Sequence, residues 1–239
     1  MDAARASMTL LAALALSPFG YAKNVEAADD SGLQPMTMEI VLVDDRFDAF
    51  AKPVGPLPEG VSLRVELVPT GPGAHATNHY AVLLKKPGET DTQAKERFSP
   101  WLSAQPLPAG RRFVLGDVIQ ENEAGETQSI GLRTYVLTGE PIVTEANVVD
   151  ASVGMEGAPI RQGVVTVTLD AAGGERFHAA TREHVDERIA IVVDGKAFSV
   201  PVVKAPIPGG QFWISTHEYG VQAVAEAERL AARLRGKAK

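Results

Sequence analysis

The 239-residue chain contains no cysteine. That removes disulfides, thiolate metal sites, cysteine nucleophiles and the lipid-bearing cysteine of a bacterial lipoprotein, and leaves stability to packing alone. Basic residues are outnumbered, 23 against 30 acidic, for a formal charge of -7. Such a balance repels phosphate backbones unless Lys and Arg gather on one face, and the dense basic stretch is terminal, at 229–239. Nucleic acid is therefore not an expected partner. Also missing are a Gly-x-Ser-x-Gly elbow, a His-Glu-x-x-His pair and a phosphate-binding loop, so no catalytic residue, cofactor or metal site is expected. What remains is ordinary globular material, 45% apolar and 22% charged, enough to fold around a core.

Long apolar runs are absent as well. From Ala6 to Ala22 no charge occurs, but Ser17, Pro18 and Gly20 interrupt the run below the ~20 residues of a membrane-spanning helix. Arg5, the apolar stretch from Met8 to Leu16 and the small residues up to Ala22 follow the order of a secretory signal. Residues 1–22 thus read as a signal peptide, with cleavage after Ala22 or as late as Ala27, and 23–36 as a linker. A buried N-terminal helix is the competing reading, opposed by Pro18 and Gly20. The product is expected in the periplasm or outside the cell, with no span in the membrane.

Beyond the linker the pattern is β-rich over 37–150. Strands are predicted at Met38–Val43, Leu63–Val68, His79–Lys85, Phe113–Glu121 and Gln128–Leu137, with a short helix at Thr92–Phe98 and a turn at 123–126. In the second of these, Leu63, Val65 and Leu67 alternate with Arg64, Glu66 and Val68, as in a half-buried strand. Three prolines and two glycines make 52–60 a loop.

The second part, 151–236, is more regular. Gly163–Leu169 alternates like a strand, and Asp170 stands where an N-cap belongs. Phe177, Ala180, Thr181 and His184 then form one helical stripe. Asp194-Gly195 joins Ile189–Val193 to Lys196–Val200 as a two-residue hairpin turn, and Pro201 places the second arm at an edge or bulge. Gln211–Thr216 is a strand, Val221–Leu234 a helix, and 237–239 a basic tail. The fold class is α+β, an antiparallel sheet with helices packed on one face, preceded by the β-rich part.

These residues resemble a family. Val165–Phe177, Thr181–Val185, Arg188–Gly195, Val200–Val202 and Pro206-Ile207 are similar, in order and spacing, to the head subdomain of the first periplasmic domain of SecD and SecDF. Weaker pieces at Met38–Asp44, Leu57–Gly60, Glu140–Thr144 and Asp150–Val153 extend the likeness, with Glu145 where the family usually has glycine. The resemblance implies a family signature at Asp170, Phe177, Thr181, Asp194, Gly195 and Pro201, mainly structural. It implies a stand-alone head without the proton-conducting membrane part, whose partners are unfolded or translocating polypeptide, or envelope proteins.

Of the five histidines, His75 and His79 are four apart but follow Gly71-Pro72-Gly73, which reads as a loop, and His178 and His184 read as a solvated surface pair. Asp44, Asp45 and Asp170 read as strand-end and cap residues ahead of a catalytic pairing. Phe212 and Trp213 point to opposite faces of one strand, so an exposed ring beside an edge is a candidate for holding extended polypeptide, against the alternative that both rings pack on helices. The expected function is a non-catalytic binding module. Two alternatives are a hydrolase-like exported enzyme and an envelope protein that self-associates through an edge at Val200–Val203.

Overall fold

The computed structural model describes residues 36–121, 127–156 and 162–236, and no side chains at 156, 162 or 217–222. The expected signal and most of the expected linker, the expected turn at 123–126 and the basic tail lie outside the described residues. Ten strands, β1 (Met38–Val43), β2 (Val61–Gly71), β3 (Ala74–Leu84), β4 (Arg111–Glu121), β5 (Thr127–Thr144), β6 (Val148–Glu156), β7 (Gln162–Leu169), β8 (Ile189–Val193), β9 (Lys196–Ser199) and β10 (Gln211–Tyr219), combine with helices α1 (Asp91–Ser103), α2 (Ala171–Glu183) and α3 (Gly220–Arg235). The α+β class holds.

Five strands close a ring. β1 pairs antiparallel with β8 on one side and β5 on the other, β8 pairs with β9, β9 runs parallel to β4, and β4 pairs with β5. Inside it lie Val41, Val43, Val114, Leu137, Ala190, Val192 and Ala197. The alternate residues of β1 and β8, namely Met38, Ile40, Ile189 and Ile191, face out into a larger core shared with α2, α3 and the second sheet. Two-sided burial explains why β8 is apolar at every position.

The second sheet has three antiparallel strands in the order β10-β7-β6. Val165, Val167, Leu169, Phe212, Ile214 and Ala151 face Phe177 of α2 and Leu230 and Leu234 of α3. Close approach is built in at Gly163, where a Cβ would lie 2.2 Å from the Ala223 carbonyl oxygen of α3. The opposite face carries exposed Gln211 and Ser152 and half-buried Thr166, Thr168 and Trp213. Helices therefore cover one face of this sheet.

Four expectations change. The hairpin β8–β9 does not lie beside β7 and β10; it inserts between β1 and β4, because its apolar residues need cover on both faces. Consequently the Val200–Val203 segment is no open edge: β9 is held by β8 and β4, and Val202 bridges to Arg188. His75, expected in a loop, lies in β3 together with His79, whose strand was predicted, and Gly71 and Gly73 take positive φ in the hairpin turn. Finally, β2 keeps its predicted alternation only at its start, where Leu63 packs toward the core and Arg64 is exposed; beyond it Val65 and Leu67 are 58% and 71% exposed while Glu66 and Val68 turn inward. Helix α1 starts one residue before the predicted Thr92, at a capping box in which the Gln93 N–H donates to Thr90 Oγ1 at 3.3 Å and the Thr90 N–H to Gln93 Oε1 at 3.0 Å, and runs past the predicted end at Phe98 to Ser103.

Candidate functional site

The signature residues lock elements together. Asp170 accepts from the Gly173 N–H at 2.6 Å to cap α2, and from Asn147 Nδ2 at 3.2 Å. Arg176, one turn on, donates to Asn147 Oδ1 at 2.9 Å and to the Ile142 carbonyl at 3.0 Å, so the cap ties α2 to the end of β5. The Gly173 N–H and Asn147 hydrogen bonds hold the Asp170 carboxyl below its ordinary pKa. Glu145 opens a short 3-10 turn and accepts from the Met38 N–H at 3.1 Å.

Phe177 stacks obliquely on Phe212, ring centroids 5.3 Å apart. Thr181 donates to the Phe177 carbonyl at 2.9 Å and accepts from the Ile207 N–H at 3.0 Å, fixing the loop that leads into β10. Asp194 and Gly195 take φ of 49° and 73°, the two left-handed residues of the predicted turn. Asp194 also accepts from the Thr37 N–H at 3.1 Å and from Arg233 of α3 at 2.7 Å. Pro201 lends only its carbonyl, to the Ile189 N–H at 3.0 Å.

Of the aromatic pair, Phe212 is 3% exposed and closed to any ligand, because its register puts it on the core face. Trp213 is different. The Leu169 N–H donates to the Gly210 carbonyl at 2.8 Å, which marks that pair as hydrogen-bonded. Pairs alternate along an antiparallel ladder, so the backbone groups of Phe212 and Ile214 face β7 while those of Trp213 and Ser215 turn to the outer edge. Among the described residues no strand pairs with that edge.

A second constellation was not visible in the sequence. Arg188 from the start of β8 makes a fork onto Asp45, with Nε to Oδ2 at 2.7 Å and the other bond through Nη2 to Oδ1. It also reaches Glu66 of β2 at 3.0 Å, and Arg133 of β5 meets the same Glu66 oxygen at 2.7 Å. The Arg133 guanidinium lies 4.0 Å from the Tyr80 ring centroid and 4.4 Å from that of Tyr135. Burial pushes the Asp45 carboxyl up against the pull of Arg188, whereas at Arg188 the Asp45 and Glu66 contacts overcome burial and keep the guanidinium charged. The four members lie far apart in sequence, and the alternation of Leu63–Val68 set Glu66 on the face away from the expected core, so nothing in the sequence signalled the cluster.

The remaining polar candidates also have structural partners. Asp44 pairs with Arg111 at 2.6 Å, His79 Nδ1 with Asp48 at 2.6 Å and His184 Nδ1 with Glu187 at 2.8 Å. His178 departs from the solvated reading, as its Nδ1 is buried with no partner among the described residues. A cavity beside Asp44 and His184, about 90 Å³, is well under the roughly 300–1,000 Å³ of small-molecule sites. The described residues contain no group of three or more His, Asp or Glu placed to hold a metal ion.

Residues 118–238 match the family described as SecDF, P1 head subdomain. The chain belongs to that family. Among its relatives, SecDF of Thermus thermophilus is 34% identical over 99 residues, covering 41% of this chain and 12% of that protein. SecD of Magnetococcus marinus is 50% identical over 52 residues, covering 22% and 10%, and SecD of Rhodobacter capsulatus 33% over 147 residues, covering 60% and 24%. The chain thus spans at most about a quarter of the length of these relatives. A solved SecDF component that enhances protein export aligns over 83% of this chain and 92% of its own, at 20% identity and a TM-score of 0.36. The P1 head match spans the six residues expected as a signature, Trp213, Arg133 and Arg188, while Asp45 and Glu66 precede it. Among the described residues no helix is long and apolar enough to cross a membrane.

Proposed function

We propose that this P1 head protein is a non-catalytic, extracytoplasmic module that holds extended polypeptide along the outer edge of β10, with Trp213 as the side-chain anchor. The observation behind it is the coincidence at Trp213 of an outward-turned backbone N–H and C=O with a partly buried indole on the uncovered sheet face. Strand addition draws affinity from main-chain pairing and selectivity from side-chain contacts, which suits a binder of many unfolded sequences. Membership in a family of protein-translocase subunits supports polypeptide as the ligand class, and the segment 1–22 supports export.

Titration of the purified protein with fluorescent unfolded preprotein segments tests it. Saturable binding at tens of micromolar is expected, weakened about tenfold or more in Trp213→Ala, the loss typical of an aromatic anchor. No binding by any segment, or equal binding by Trp213→Ala, contradicts the reading.

A further inference from the structure

β2 ends the seven-stranded sheet, and among the described residues its outer edge pairs with no strand. The Leu84 N–H donates to the Gly60 carbonyl at 3.0 Å, so Gly60 and Leu84 form a hydrogen-bonded pair. Alternation along the β2–β3 ladder then turns the backbone groups of Ser62, Arg64, Glu66 and Val68 toward β3, and those of Leu63, Val65 and Leu67 outward. Val61 agrees, since its N–H goes to the Pro58 carbonyl at 3.0 Å and not to β3. The outward set includes the two apolar side chains exposed at 58% and 71%, Val65 and Leu67. An edge with open backbone and apolar side chains is a pairing surface that folds usually blunt.

We infer that this edge receives a second copy of the chain, β2 against β2, antiparallel about a two-fold axis at Val65. The charges select that register. An axis at Arg64 sets Arg64 against Arg64 of the second copy, and one at Glu66 sets Glu66 against Glu66, both repulsive. An axis at Leu67 brings Pro69, which has no N–H, opposite Val65 within the ladder. With the axis at Val65, Arg64 faces Glu66 of the second copy twice, Leu63 faces Leu67 twice, and Pro69 falls at the ladder end. Arg64 is exposed and free of any ion pair among the described residues. Glu66 engages Arg133 and Arg188 through Oε1, which leaves Oε2 to meet it. Every pair that must exchange backbone hydrogen bonds is then made of outward-facing residues, so the register is self-consistent. It does not depend on the polypeptide reading of β10.

Because the chain has no cysteine, Val65→Cys introduces a single thiol at the axis, with Cα atoms about 5.5 Å apart in the dimer, within disulfide range. Under mild oxidation this variant is expected to form a covalent dimer at least tenfold faster than Val149→Cys, whose site is 51% exposed on a different strand. Sedimentation equilibrium from ~10 μM to ~1 mM should show monomer passing to dimer, as befits a one-strand interface. Val65→Lys and Arg64→Glu should each weaken that association at least tenfold while keeping the wild-type circular dichroism. Equal crosslinking by the two cysteine variants, a monomer at every concentration, or an edge that takes only added peptide overturns the proposal.

Discussion

Glu66 is held between two guanidiniums, Arg133 and Arg188, and Arg188 in turn holds Asp45. Two cations and two anions balance there, with the rings of Tyr80 and Tyr135 covering Arg133. Removing one member of such a set strands a buried charge, so its role is to pin the β2–β3 hairpin against the ring of strands. A simpler pair allows a cleaner test. Glu89 accepts from Arg97 Nε at 2.9 Å and Nη2 at 2.7 Å, and those bonds, with the Lys86 N–H, lower its pKa from 4.5 to about 2. A depressed carboxyl stabilises the fold above pH 4.5 and loses that contribution as pH falls to about 2. Arg97→Gln should therefore be less stable than wild type by denaturant titration at neutral pH, with the gap narrowing across that acid window. A gap independent of pH contradicts the assignment. At this scale the cap at Asp170 and the turn at Asp194-Gly195 were legible in sequence, because each acts on its own neighbours.

Elements were legible where their period was strict and their neighbours local. β1 and the β8–β9 turn appear where alternation and Asp-Gly place them, and α3 where its stripe does. β10 runs on to Tyr219 and meets α3 at Gly220 without an intervening loop. Partner choice was not legible. Nothing within Ile189–Val193 says that β8 joins β1 rather than β7, since a strand buried on both faces has no preferred side. β2 failed for a related reason, because the inward position of Glu66 depends on arginines about seventy and one hundred and twenty residues away. The packing of α3 on β7 makes a separate prediction. Gly163→Ala forces a Cβ into the Ala223 carbonyl at 2.2 Å and should cost about 1–3 kcal/mol in denaturant titration, the usual penalty for overpacking. Gly154→Ala, whose Cβ meets nothing closer than 3.9 Å, should be near neutral. Equal effects from the two would mean that α3 does not lie so close.

At the scale of the whole molecule, a ring of five strands and a three-stranded sheet share one core, the β2–β3 hairpin packs with α1 in another, and three strand edges, β2, β6 and β10, are left without a strand partner among the described residues, the first and last of them being the proposed pairing surfaces. These two differ in character. The β2 edge is charge-patterned and self-complementary, whereas the β10 edge offers neutral backbone beside one indole. Nothing in the sequence marks an edge as open, so Trp213 was identified there only as one of two rings, and the register of β10 decided between them. Amide hydrogen exchange tests the polypeptide reading most directly, since an added strand must capture the outward N–H groups. With saturating unfolded preprotein, the amides of Trp213 and Ser215 should slow markedly while those of Phe212 and Ile214, already paired with β7, stay unchanged. Unaltered exchange at Trp213 and Ser215 under saturating ligand would contradict the account.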